Sequence, residues 1–287
     1  MAINYESIEV NEMSPACGAI IEGIDLSKDL SNQEFSEIHK ALLDRTVIVF
    51  RDQNLTETQH VQFARRFGDI QPNAISGFAK HEKEPEIDIL ESDADNPPYV
   101  TLDLWHTDFA GREKPTLGTV IYAKDIPPEG GDTIWVSSYA AYEGLSDRMK
   151  AHVDGLFAYH NAYQNYDETV RPELWEKDYQ VYKRESKANY RPALHPVVRT
   201  HPDTGKKGLF VNESMTSVIK DMDRRESSFL LSYLFEHLRT PEFQYRHKWR
   251  KNDFVIWDNR LSLHYALFDY TEHRLMHRVN IVGSKPI

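Results

Sequence analysis

Three short stretches far apart in the chain carry residue types suited to a single metal site. Trp105-His106-Thr107-Asp108 supplies a His-x-Asp pair, His264 supplies a distant imidazole, and Arg274 follows His264 at an interval of ten residues. Two imidazoles and one carboxylate on one face of an octahedral Fe(II) leave about three positions open. A 2-oxo acid can chelate through two of them and O2 can take the third, so such a site serves oxidative chemistry.

On a strand, side chains at i and i+2 point to the same face, so His106 and Asp108 can reach one ion without distorting the backbone. The pair alone is weak. With 13 histidines in the chain a chance His-x-Asp is expected, and a hydrogen-bonded edge pair is the plain alternative. For each of the other residues there is an equally plain reading: His264 as a satisfied core histidine, Thr133 as a strand residue, Arg274 as a surface cation.

The surrounding segments decide between these readings. Trp257 to Arg278 runs WDNRLSLHYALFDYTEHRLMHR, and Gly130-Gly131-Asp132-Thr133 follows the His-x-Asp pair. With these, the chain resembles the taurine dioxygenase (TauD/TfdA-like) family of Fe(II)/2-oxoglutarate-dependent dioxygenases, which includes alkylsulfatase and phenoxyacetate dioxygenases. The likeness runs nearly end to end, through GAIIEGIDLSKDLS, TVIVFRDQNLT, FARRFGDI, WHTDF, GGDTIWVSSYAAYEGLS, LHPVVRTHPDTGKKGLFVNE and EFQYRHKW.

Carried over residue by residue, the resemblance implies that His106, Asp108 and His264 hold Fe(II), and that Thr133 and Arg274 bind the distal carboxylate of 2-oxoglutarate. A planar guanidinium suits that second role, since it recognises a carboxylate bidentately and stays charged at any working pH. Arg278 lies four residues beyond Arg274, which on a strand puts both on one face. Two buried arginines without anions are costly. Arg278 is therefore expected to hold the anionic head of the primary substrate, as the family's equivalent arginine holds a sulfonate; a salt bridge to one of the chain's own carboxylates is the other reading.

The chain departs from the taurine-specific pattern in the rest of the pocket. Asn73 and Ser76 stand near a histidine and a tyrosine of that pattern, Leu102 near an asparagine, and Met215 and Tyr166 near phenylalanines. This set is expected to line a pocket for a body larger or more apolar than taurine, with the head still anionic. The implied reaction is hydroxylation of a C–H bond with succinate and CO2 as co-products. On a sulfonate or sulfate ester it would release sulfite or sulfate for sulfur scavenging; a phenoxy acid, an acylated amino acid or a biosynthetic intermediate is the alternative substrate. A metal-bound sensor has no use for the full set of co-substrate residues, and a zinc hydrolase would need the general base of His-Glu-x-x-His, which is absent.

The elements that must position these residues are mixed. Ser31 to Glu34 forms a capping box ahead of Phe35, Ile38 and Leu42 at helical spacing, and Thr46 to Phe50 reads as a buried strand. Thr56 with Gln59 opens a second helix that Gly68 ends, and Asp223 with Glu226 opens a third. Strands are expected at Leu117 to Ala123, Leu194 to Thr200, Gly208 to Val211, Phe254 to Trp257 and Val279 to Val282, with a hairpin turn at Asp203-Thr204-Gly205. Pattern alone gives only α+β. A double-stranded β-helix, or jelly roll, flanked by helices is what the resemblance implies.

Two long polar stretches, Gln71 to Asp103 and Asn161 to Tyr190, are expected to be active-site lid loops, the second being rich in aromatics (Tyr163, Tyr166, Trp175, Tyr179 and Tyr182, with Tyr159 just before it). At 287 residues one catalytic domain over 1–287 is expected. A net charge of −11 and a pI near 5.6 argue against nucleic acid. The lone Cys17 leaves no internal disulfide and reads as a small buried hydrophobe. No apolar run is long enough for a bilayer and the first residues lack a signal-peptide pattern, so a cytoplasmic enzyme is expected, and a homo-oligomer, dimer or tetramer.

Overall fold

The main sheet is apolar on both faces because something covers each of them. In chain order the strands are β1 (Glu9–Glu12), β2 (Ala19–Glu22), β3 (Val47–Phe50), β4 (Ala79–Lys80), β5 (Asp88–Ser92), β6 (Gly118–Asp125), β7 (Thr133–Ser137) and β8 (Phe157–His160). They continue as β9 (Ala193–Pro196), β10 (Val198–Thr200), β11 (Lys207–Leu209), β12 (Thr216–Ile219), β13 (Gln244–His247), β14 (Phe254–Asp258), β15 (Ser262–Ala266) and β16 (Arg274–Ile281). The helices are α1 (Asn32–Arg45), α2 (Glu57–Arg65), α3 (Ser138–Glu143), α4 (Asp147–Val153) and α5 (Arg224–Leu238). The computed structural model describes residues 5–71, 79–95, 104–161 and 192–287.

Eight strands form one sheet in the order β1-β2-β3-β14-β6-β16-β5-β4, and β13-β7-β15, β12-β8-β9 and β10-β11 form smaller ones. Side-chain alternation assigns the two faces of the large sheet. Ile48, Phe50, Val120, Tyr122, Phe254, Ile256, Val279 and Ile281 pack against Ile38, Ala41 and Leu42 of α1 and Val61, Phe63 and Ala64 of α2. The intervening Val47, Val49, Ile121, Ala123, Val255, Trp257 and Met276 turn the other way, onto Trp135, Tyr245 and Trp249 of the β13-β7-β15 side. Val136 and Leu263, on the far face of that smaller sheet, pack with α3, α4 and α5. The result is a jelly-roll sandwich with helices on both outer faces.

The expected helices form where their caps place them. Ser31, Thr56 and Asp223 each accept from a backbone N–H of the first turn, and Glu34, Gln59 and Glu226 reach back to the cap backbone. The turn at Asp203 to Gly205 joins β10 to β11, which pair antiparallel with Thr200 opposite Lys207. The strand expected from Leu194 to Thr200 is split at Val197 into β9 and β10, which pair with different partners.

Two expectations are corrected. The stretch from Gln71 to Asp103 is not all loop, because β4 and β5 lie within it and β5 pairs with β16. Its strand was masked by composition: the buried positions of β5 are Asp88 and Ser92, polar because they lie opposite Arg278 and Arg274. His106 and Asp108 do not share a regular strand either. His106 makes an isolated bridge to His264, and Asp108 opens the turn that follows. The stretch expected as an aromatic lid, apart from Asn161 itself, falls outside the described residues.

Candidate active site

His106 and His264 are brought together by their own backbones. Each N–H donates to the other's carbonyl, at 3.0 and 2.8 Å, and the imidazole centroids lie 4.1 Å apart. The turn beyond His106 returns Asp108 to the same spot, with its Oδ1 4.0 Å from Nε2 of His106 and 3.9 Å from Nε2 of His264. Among the described residues this is the group of buried donors able to surround one metal ion.

The neighbours leave those three atoms free for a cation. Nδ1 of His106 lies 2.7 Å from the carbonyl of Leu104, which only accepts, so Nδ1 carries the proton and Nε2 presents its lone pair. Oδ2 of Asp108 accepts from Thr119 Oγ1 at 2.6 Å and from Asn259 Nδ2 at 3.4 Å, which turns Oδ1 toward the imidazoles. Asn259, wholly buried, also donates to Thr116 and Thr119 and accepts from Nε1 of Trp257. Such outer contacts orient ligands and tune their basicity. Thr119 and Asn259 were missed in the sequence, although Asn259 lies inside the WDNR run that carried the resemblance.

Electrostatics favour the forms a metal needs. Burial pushes the Asp108 carboxyl up, but His264, Arg278, His106 and the Thr119 hydroxyl together hold it below the usual carboxylate range. Burial pushes His264 down to about 3, with His106 acting in the same sense, so its imidazole is neutral. A neutral imidazole and an ionised carboxylate are the ligating species.

Arg274 and Thr133 each have features that suit the binding of an anion. Arg274 is buried, its Nε has no hydrogen-bond partner, and its Nη2 has only a long 3.5 Å contact to the carbonyl of Gly131. Burial depresses its pKa although Tyr270, whose ring centroid is 5.7 Å away, opposes this. A buried guanidinium in this state is stabilised by a bound carboxylate. Trp249 Nε1 donates to Thr133 Oγ1 at 2.9 Å, which leaves the threonine hydroxyl proton free to donate outward. Gly130 and Gly131 adopt φ of +76° and +68°, and a Cβ on Gly130 would fall 2.6 Å from the carbonyl of Asp269, so only glycine admits the 267–270 loop so close to Arg274.

Arg278 is buried on the same face of β16 as Arg274, but it is not short of an internal anion. Its Nη2 lies 3.0 Å from Oδ2 of Asp88, its cross-strand partner on β5. The salt bridge to one of the chain's own carboxylates, the other reading of Arg278 in the sequence, is thus present. Lys80 of β4 pairs with the same Asp88, so two cations share one carboxylate. Asn280 links this group to the metal site, since its Nδ2 lies 3.4 Å from Asp88 and its Oδ1 accepts from Thr119 at 3.1 Å. Met215 is partly buried, its sulfur accepting from the Gly111 N–H at 3.2 Å, three residues after Asp108. Asn73, Ser76, Leu102 and Tyr166 lie outside the described residues.

A sandwich fold carrying two imidazoles, a carboxylate and a separate anion cradle defines a metal-dependent oxygenase of the 2-oxo acid type. The comparisons agree. The model of the taurine catabolism dioxygenase TauD, TfdA family matches residues 9–280. The alkylsulfatase of Acinetobacter baylyi is 31% identical over 286 residues, covering 97% of this chain and 86% of that one. The alpha-ketoglutarate-dependent 2,4-dichlorophenoxyacetate dioxygenase of Cupriavidus pinatubonensis is 32% identical, covering 97% of this chain and 99% of that one. Among solved structures, a taurine dioxygenase from Burkholderia xenovorans superposes with a TM-score of 0.82 at 33% identity, covering 98% of this chain and 91% of that one. AAD-2 in complex with Mn(II) and N-oxalylglycine superposes at 0.79 and 28%, covering 98% and 99%.

The chain belongs to the TauD/TfdA family. It is an Fe(II)/2-oxoglutarate-dependent dioxygenase, an oxidoreductase that uses O2. Among the described residues no helix is long and apolar enough to cross a membrane.

Proposed function

We propose that this enzyme hydroxylates a C–H bond of a small anionic organic substrate, a sulfonate or sulfate ester in the first place, and so releases sulfur for reuse. The carrying observation is the place of Arg278, buried on the face of β16 that also carries Arg274 and near enough to Asp108 and His264 to shift both. A guanidinium beside the metal site suits an anionic substrate head. The relatives named for alkylsulfate and sulfate ester substrates support the sulfur reading.

His106, Asp108 and His264 are the residues that would hold Fe(II), which with 2-oxoglutarate and O2 supplies the oxidant for C–H hydroxylation. Arg274 and the Thr133 hydroxyl clamp the distal carboxylate of 2-oxoglutarate. Thr119 and Asn259 keep one carboxylate oxygen of Asp108 turned inward. Arg278 fixes the substrate head, and so selects which carbon faces the metal; Met215 offers an apolar surface to the body, and Asn73, Ser76, Leu102 and Tyr166 are proposed to complete the pocket. Hydroxylation at a carbon bearing sulfonate, or the oxygen of a sulfate ester, gives a product that breaks down to a carbonyl compound with release of sulfite or sulfate.

A second reading keeps the same chemistry on a carboxylated substrate, and the relatives named for phenoxy acids favour it. The test is a panel of alkyl sulfonates, sulfate esters and phenoxy or acyl carboxylates assayed for succinate formation with Fe(II) and 2-oxoglutarate. Stimulation by sulfonates or sulfate esters with matched sulfite or sulfate release supports the first reading. Stimulation confined to carboxylates, with a phenol or a stable alcohol released, replaces it by the second.

A further inference from the structure

Away from the metal site, the guanidinium of Arg199 on β10 is enclosed without a bonding partner. The residue is 1% exposed, and among the described residues neither its Nε nor its Nη1 has a hydrogen-bond partner. Arg45 and Arg51 also bury an unpartnered Nε, but each sets another nitrogen on a carboxylate, that of Glu12 or Asp253. Arg199 has no such pair. Burial lowers its pKa to about 10, so the group is still charged at neutral pH.

The carboxylate that acts on Arg199 most is Asp258, and it is already engaged. Its Oδ1 accepts from the backbone N–H and Nε of Arg260 at 2.8 and 2.9 Å. Its Oδ2 lies 2.7 Å from Nη2 of Arg260 and 3.0 Å from Nε2 of His201. With two close contacts on each oxygen, Asp258 has no place left for a second guanidinium. The ring of Phe210 lies 5.1 Å from Cζ of Arg199, and a cation–π contact offsets only part of the cost of burying a charge. Water can satisfy the N–H groups but leaves the charge unbalanced.

We propose that Arg199 holds a small monovalent inorganic anion, chloride in ordinary salt solution, against its guanidinium N–H groups, as a buried structural ion of the fold. The surroundings favour an anion of that size and charge. The other polar rings on Phe210 are His160 and His195, with centroids 5.5 and 5.6 Å from it. Burial lowers both pKa values, that of His160 to about 3, so neutral imidazoles surround the phenyl ring. His195 Nε2 lies 2.8 Å from the carbonyl oxygen of Arg112 and donates to it, in the turn that follows Asp108. An ion that fixes Arg199 on Phe210 thereby also braces the backbone beyond a metal ligand.

The probe is bromide, which replaces chloride and scatters anomalously. Crystals of the wild-type enzyme loaded with Mn(II) and 2-oxoglutarate are soaked in bromide, and the anomalous map is expected to show a peak in contact with the Arg199 guanidinium. In solution, thermal unfolding of the same loaded enzyme is compared in chloride, bromide and gluconate at equal ionic strength. The halides are expected to raise Tm by several degrees over gluconate, since an ion bound only by the folded state stabilises it. Arg199→Met should lose that difference, and Arg199→Lys should keep part of it. Should Arg199→Met fail to fold, the anomalous map of the wild type decides alone. A map without bromide at Arg199 overturns the proposal, as does a halide response that persists in Arg199→Met.

Discussion

Asp88 and Arg278 face each other across β5 and β16, carboxylate to guanidinium at 3.0 Å, on the buried side of the sheet that also carries Arg274. The pair holds Arg278 in place, and Lys80 adds a second cation to the same carboxylate.

Substitutions at the two ends of this pair should therefore have different effects. Arg278→Ala removes the proposed anchor and should raise the KM of the primary substrate at least tenfold, leave 2-oxoglutarate affinity nearly unchanged and increase uncoupled succinate formation. Asp88→Asn keeps the guanidinium but removes a buried carboxylate that pairs with it, so it should cost roughly 3 kcal/mol of stability while affecting substrate KM far less. Steady-state kinetics and denaturant unfolding of both variants separate the roles. Substrate turnover unaffected by Arg278→Ala would refute the anchor.

The co-substrate cradle should respond as a unit. Arg274→Lys keeps the charge but loses the two-pronged geometry, and should weaken 2-oxoglutarate binding by tenfold or more. Trp249→Phe withdraws the donor that orients Thr133 and should weaken the same constant more mildly, as should Thr133→Val. Anaerobic calorimetric titration with 2-oxoglutarate reads each effect; unchanged affinity in Arg274→Ala would reassign the distal carboxylate.

Metal affinity should depend on residues that never touch the metal. His106→Ala, Asp108→Ala or His264→Ala should abolish both Fe(II) binding and activity. Thr119→Val and Asn259→Ala should loosen Asp108 and lower metal affinity about 10- to 100-fold. Equilibrium dialysis with Fe(II) or Mn(II) checks both, with circular dichroism to verify that each variant is folded.

Acid should destabilise the metal-free enzyme well above the carboxylate range. Burial pushes both His60 and His160 from 6.5 down to about 3. Below about pH 6.5 the unfolded chain binds protons at these positions that the folded chain refuses, so stability should fall as pH drops from there toward 3. Each group should contribute a slope of about 1.4 kcal/mol per pH unit. Denaturant unfolding at pH 7 and pH 5.5 measures this, and His60→Phe should flatten the dependence by one group's share.

The parts of this molecule that could be read from the sequence are those whose causes are local or whose residue types are rare. Ser31, Thr56 and Asp223 mark helix starts because a cap and its partner lie three residues apart. The metal triad could be read because His106 and Asp108 sit in a recognisable run and His264 sits in another. The Asp88–Arg278 pair could not, since it depends on the register between two strands far apart in sequence, one of them disguised by the polar residues that face the arginines. The role of Trp249 was hidden for the same reason: a side chain that hydrogen-bonds to the neighbouring strand of its own sheet has no signature at its own position.

The bridge between His106 and His264 also dictates an order of events in the life of the chain. Its two halves come from segments separated by most of the strands of the fold, so the three ligands are not assembled until β15 has been synthesised and has found β7. Metal therefore has no complete set of ligands to bind before these segments meet. Which ion enters is thereby set by the supply of ferrous iron against its competitors, because a rigid site of two imidazoles and a carboxylate does not by itself rank iron first.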